Sequence, residues 1–207
     1  MIINLETLFK IGSLAGLLSF IWLFVKDLIK FLRKPKLKIT LEKSRDLRTW
    51  RFPNGVIRKF ATLHIVNKGK EVAKRCVATL EIIEKPHSLT HLENRYSLHW
   101  ADTPYNLRTT GAEPVDIGPE EWRLDVVFTD ASQFIDGCWI AMPIALSGAL
   151  TRNQAYLPPG SYKVKIEVKC ENGKGDKGTF RINSPNKWTD LDFEELKIFR
   201  KIKKDNT

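Results

Sequence analysis

Ser161-Tyr162-Lys163-Val164-Lys165-Ile166-Glu167-Val168-Lys169-Cys170 is the most regular stretch of the chain. Tyr162, Val164, Ile166, Val168 and Cys170 fall on one side of an extended backbone, and Lys163, Lys165, Glu167 and Lys169 fall on the other. A period of two with apolar and charged faces is the signature of a strand in an antiparallel sheet, dry on one face and wet on the other. The eight residues from Glu171 to Gly178 contain three glycines and lead back into Thr179-Phe180-Arg181-Ile182, so a hairpin is predicted. These glycines do not form a phosphate loop, because neither a Gly-Lys-Ser/Thr ending nor a helix follows them.

The same period recurs on both sides of this hairpin. Leu37–Glu42 alternates through Leu37, Ile39 and Leu41, and Lys59–Asn67 through Ala61, Leu63 and Ile65. Lys74–Ile83 places Cys76, Ala78, Leu80 and Ile82 on one face, and Glu121–Thr129 does the same with Trp122, Leu124, Val126 and Phe128. Tyr96–Trp100 and Trp139–Ala145 read as further strands. Seven or eight short strands joined by turn residues imply an all-β antiparallel sandwich over residues 35–207. Its last element is expected to be a helix over about 188–204, with Thr189 as N-cap, acidic residues first and basic residues last.

The first 34 residues are of another kind. Ile11 to Val25 is a run of fifteen residues without a charge. As a helix it spans about 22 Å, short of the roughly 30 Å of a hydrocarbon core. Leu8 and Phe9, with Lys10 reaching toward the headgroups, lengthen it to eighteen residues. No small-residue cleavage site follows, which argues against a signal peptide, and no polar face interrupts the run, which argues against an interfacial helix. A transmembrane helix is therefore expected, continued by a basic stem that Pro35 ends. The net charge is +10, and half of it sits in residues 1–38, where seven basic residues face only Glu6 and Asp27. Six of the seven follow the span, so the positive-inside rule places the sandwich in the cytoplasm. The remaining charge is diluted, without the basic stripe or module of a nucleic-acid binder. Gly12, Gly16 and Ser19 form a small-residue face through which two such helices could pair as a homodimer.

Chemistry-bearing residues are sparse. Cys76, Cys138 and Cys170 are an odd number without a CxxC, which suits a reducing compartment and buried free thiols, although Cys76 and Cys170 could face each other across the core. His87 and His91 lie four apart, yet Pro86 favours a loop and no Cys or carboxylate stands at metal spacing. There is no GxSxG, Cys138 reads as structural, and the Glu120-Glu121 pair reads as solvated. No catalytic residue, metal or cofactor is expected. The segment after Pro86 gathers Arg95, Tyr96, His99, Trp100, Tyr105 and Arg108, residue types that dominate protein contacts. The alternative for Tyr96 and Trp100 is that they fill the core as strand residues.

Val66-Asn67-Lys68-Gly69 with Ala73 and Cys76-Val77-Ala78, Ile117-Gly118-Pro119 before Leu124-Asp125-Val126, and Leu157-Pro158-Pro159-Gly160-Ser161-Tyr162 together resemble bacterial and archaeal immunoglobulin-like domains of the CARDB kind. The resemblance covers about residues 36–184 and lies in turn chemistry. This chain departs from the pattern in two long insertions, 85–120 and 130–160. Such a resemblance implies a binding or structural module without a catalytic site. The expected function is a membrane-anchored, non-enzymatic module presenting this domain to a protein partner. The alternatives are an accessory or sensor subunit of a membrane-associated complex, such as a defence or envelope system, and a hydrolase or metal-dependent enzyme built from the insertions.

Overall fold

A computed structural model describes residues 19, 21–42, 46–52, 55–86, 92–101, 114–131, 136–142 and 155–196. Thirteen strands are described: β1 (Leu37–Thr40), β2 (Leu47–Arg51), β3 (Ile57–Asn67), β4 (Ala73–Glu84), β5 (Arg95–Ser97), β6 (His99–Trp100), β7 (Val115–Ile117), β8 (Trp122–Asp130), β9 (Cys138–Ile140), β10 (Tyr156–Leu157), β11 (Gly160–Lys169), β12 (Asp176–Ser184) and β13 (Asp192–Glu195). They form two antiparallel sheets. One runs β1-β3-β8-β9-β10, with β2 beside β1 on the same flank of β3 and β6 also paired to β8; the other runs β13-β12-β11-β4-β5, with β7 also paired to β4. One apolar core draws on both sheets, which makes the domain a β-sandwich.

The core is supplied by the alternation read from the sequence. Tyr162, Val164, Ile166 and Val168 are fully buried, as are Cys76, Ala78 and Leu80 opposite them on β4 and Ala61, Leu63 and Ile65 on β3. Each large apolar side chain removed from water in this way contributes about 1.5–3 kcal/mol. The hairpin between β11 and β12 pairs from Gly160↔Ser184 to Val168↔Asp176, as its turn residues imply. At the entrance of β11 the Tyr162 hydroxyl donates to the carbonyl oxygen of Pro158, four residues back, at 2.8 Å, which fixes the corner into the strand.

β8 departs from its sequence reading. Its pairing with β3 shifts register at Ala61/Thr62: Ala61 faces Val127 but Thr62 faces Asp125, leaving Val126 as an extra residue. Such a bulge reverses the phase of everything beyond it. Leu124, Val126 and Val127 therefore enter the main core, while Phe128 turns to the outer face and joins Phe60, Trp139 and Ala141 in a second cluster. The described parts of the two insertions include strands as well. Residues 92–100 run as β5 in one sheet and cross over as β6 into the other: the Leu98 amide donates to Ala78 and the His99 amide to Ala141. β9 and β10, from the second insertion, extend the sheet beyond β8.

The expected C-terminal helix is corrected. Trp188–Asp190 is one turn of 3-10 helix with Lys187 at its cap position and no side-chain cap, so Thr189 does not serve as N-cap. Asp192–Glu195 is β13, pairing Phe193 with Ile182 and Glu195 with Phe180. An edge strand left bare would expose its row of amides, and a four-residue strand that buries Phe193, with Leu191 buried just before it, covers the edge of β12. Residues 197–204 of that expectation lie outside the described residues.

Residues 21–33 form a helix, α1, that carries exposed Ile21, Trp22, Leu23, Phe24, Leu28, Ile29, Phe31 and Leu32. Among the described residues no helix is long and apolar enough to cross a membrane. Most of the expected span, with Gly12 and Gly16 of the pairing face, lies outside the described residues; Ser19 is helical and exposed.

Candidate functional site

The outer face of the β2-β3-β8-β9 sheet holds a candidate site. Because the bulge turns Phe128 outward, an aromatic row crosses four strands: Phe60 to Phe128 at 5.5 Å between centroids, Phe128 to Trp139 at 5.8 Å and Trp139 to Tyr156 at 5.3 Å. The Arg58 guanidinium lies 5.0 Å from the Phe128 ring and 5.3 Å from Phe52, held by a 3.0 Å bond from its Nε to Asp130. Beside this row opens a cleft of about 350 Å³ lined by Arg48, Trp50, Phe52, Phe60, Thr62, Ala101, Arg123 and Asp125. Its walls are mostly apolar, Trp50 stands 58% exposed at the rim on edge strand β2, and Asp125 is buried at the floor. Two guanidiniums and one carboxylate among aromatic walls suit a ligand group that is both apolar and charged.

On the same face of β3 as Phe60 and Thr62 lies a buried polar cluster that the sequence reading missed. His64 Nε2 is 2.6 Å from Asp46 Oδ1 and His64 Nδ1 is 2.6 Å from Glu121 Oε1, with the side chains of His64 and Asp46 only 1% exposed. Burial raises the Asp46 carboxyl above its ordinary value, opposed by the Glu42 amide that donates to it and by His64. With a carboxylate oxygen at each ring nitrogen, the imidazole has neither nitrogen turned toward a substrate. Glu121, expected to be solvated, is thus tied to a buried histidine. No spacing in the sequence announces the cluster, since Asp46, His64 and Glu121 come from three separate strands or their approaches.

Of the residues singled out as contact candidates, Arg95 alone among the four described is exposed, where it reaches Thr79 Oγ1 at 3.4 Å. Tyr96, His99 and Trp100 are buried, Tyr96 and Trp100 because the β5-to-β6 crossover carries them between the sheets. Trp100 meets Trp122 edge-on at 6.2 Å, and His99 Nδ1 lies 3.9 Å from Asp125. Burial pushes the Tyr96 hydroxyl up to about 12. Tyr96 and Trp100 therefore belong to the core, while His99 is buried beside Asp125, on the side of β8 that lines the cleft. Tyr105 and Arg108, with His87 and His91, lie outside the described residues.

Among the described residues no group of three His, Cys, Asp or Glu could hold a metal ion. The three cysteines are free, and burial pushes the thiols of Cys76 and Cys138 up to about 12, far from the thiolate a nucleophile needs. Cys76 and Cys170 do not face each other across the core: Lys169 pairs with Val77, so the two thiols are neighbours on adjacent strands of one sheet.

Comparison with known proteins gives no matching family model, no matching curated protein and no matching solved structure.

Proposed function

We propose that the chain is a membrane-tethered, non-catalytic binding module: an immunoglobulin-like sandwich of the CARDB kind, held in the cytoplasm by its N-terminal helix, offering the outer-face cleft to a protein partner. The observation that supports this reading is the cleft itself, a mostly apolar concavity with Arg48, Arg123 and Asp125 among its lining residues. The immunoglobulin-like assignment is supported by strand order. β1, β3 and β8 stand where strands A, B and E of that fold stand, and β4, β11 and β12 where C, F and G do. The Tyr162–Pro158 bond repeats the tyrosine corner of strand F. The tether is supported by α1, whose residues 21–24 are large, apolar and exposed all round, a pattern that water disfavours and lipid accepts.

The test is purification of the full chain from membranes in detergent, comparing the wild type with the Trp50→Ala/Arg48→Ala double variant. Both positions sit on an edge strand, so stability is expected to change by about 1 kcal/mol or less, while capture of the partner is lost. A variant that folds and still retains the wild-type partner would place binding elsewhere.

A further inference from the structure

We propose that the cleft between α1 and the β3–β4 turn binds the headgroup of an anionic phospholipid, a site that rests on the membrane tether proposed above. The fold builds it from segments far apart in sequence. The carbonyl oxygen of Arg33, at the end of α1, accepts the amides of both Lys70 and Glu71, at 3.2 and 3.0 Å. Pro35 is then gripped by two glycine turns: a side chain on Gly69 would come within 2.6 Å of Pro35 Cα, and one on Gly173 within 2.6 Å of the Pro35 carbonyl oxygen. Asn67 locks the joint. Its Oδ1 accepts the amides of Lys36 and Gly69, and its Nδ2 donates to the carbonyls of Glu71 and Ile117. The base of the helix is therefore fixed against one end of the sandwich and does not swing on a free linker.

This joint brings cations together. Lys34, Lys36, Lys68, Lys74 and Lys174 are all exposed at this end, on segments bonded to one another: the Lys68 amide donates to Lys36 at 2.8 Å, the Leu37 amide to Lys174 at 2.9 Å, and the Lys74 amide to Asn172 Oδ1 at 2.8 Å. Among the described residues no salt bridge engages these five, Arg33 or Lys70. Of the acids here, Glu171 is taken by Arg75 at 2.6 Å and Glu71 sits beside Lys70. At the same end lies a cleft of about 360 Å³ lined by Ile29, Leu32, Arg33 and Lys70. Ile29 and Leu32, 48% and 57% exposed, continue the apolar surface of α1.

An anionic phospholipid is the occupant that uses both halves of this cleft. The guanidinium of Arg33 and the ammonium of Lys70 meet the phosphate, the first as a planar fork and the second as a point charge. The upper acyl chain stays against Ile29 and Leu32, which a free phosphate or an acidic soluble protein would leave uncovered. The surrounding lysines add the attraction of a polybasic collar to a negative leaflet.

The experiment titrates the detergent-purified full chain with phosphatidylglycerol or phosphatidylcholine and counts bound lipid by native mass spectrometry. The wild type is expected to prefer phosphatidylglycerol. Lys70→Ala is expected to weaken that binding about fivefold, since one juxtamembrane cation is worth about that factor. Lys163→Ala, on the outer face of β11 where it pairs with Glu84, is expected to leave it unchanged. Equal binding of the two lipids, displacement by millimolar inorganic phosphate alone, or an unaltered preference in folded Lys70→Ala would each overturn the site. Carbonate extraction reads the tether separately: release of the chain would overturn both proposals, whereas retention without lipid preference would overturn only this one.

Discussion

His64 shows how a single residue of β3 can carry more energy than its place in the pattern suggests. On the alternation of that strand it is one polar residue of the face opposite Leu63 and Ile65, and nothing local marks it out. Folding brings Asp46 and Glu121 to its two nitrogens and removes His64 and Asp46 from water. His64→Ala would leave the Asp46 carboxylate buried without its partner. It is expected to cost about 3–5 kcal/mol at neutral pH, read from urea unfolding. Adding Asp46→Ala on that background is expected to cost less than Asp46→Ala alone, by about 0.5–3 kcal/mol of coupling. Strict additivity of the two changes would show that the pair does not interact.

At the scale of elements, β13 and β8 are where local pattern and final structure part. The stretch after Leu191 is rich in helix-forming Glu, Leu and Lys, and its charges suit a helix dipole, so propensity favours a helix. The bare edge of β12 decides otherwise: Phe193 pairs with Ile182, and its ring stacks on Phe180 at 5.2 Å with 17° between planes. Phe193→Ala is expected to lower stability by about 3–5 kcal/mol, the cost of emptying a buried aromatic site. A change below about 1 kcal/mol would mean that β13 is not part of the cooperative fold. In β8 the strand was legible and its phase was not. One extra residue, Val126, needs no special sequence, and only pairing with β3 reveals it.

For the molecule as a whole, the fixed joint between α1 and the sandwich couples topology to function. With Arg33, Pro35 and Asn67 bonded as they are, the end of the domain bearing Lys68 and Lys174 lies next to the helix, while the aromatic row runs across a sheet face. The basic flank after the apolar run predicts that a reporter fused after Thr207 is active in its cytoplasmic form, a fluorescent protein for example, and silent as a secreted phosphatase. Strong phosphatase activity would reverse the proposed orientation. It would also remove the anionic cytoplasmic leaflet from the collar and leave the three free thiols in an oxidising space.

The sequence by itself determined the sandwich, because burying one face of a strand forces a period of two. Tyr162 to Val168, Cys76 to Ile82 and Ala61 to Ile65 carry that period without interruption. It also determined the β11–β12 hairpin, whose glycines admit little else, and the separate character of the N-terminal segment. Only the tertiary structure decided which residues make sites. The crossover from β5 to β6 sent Tyr96 and Trp100 into the core, set His99 beside Asp125 and left Arg95 exposed. The bulge in β8 turned Phe128 out to join Phe60 and Trp139, and the strand pairings gathered Asp46, His64 and Glu121. Burial of a strand face is a local, repeated demand that every second residue records. A site is a meeting of residues dozens of positions apart, set by register and crossover, and no single segment records it.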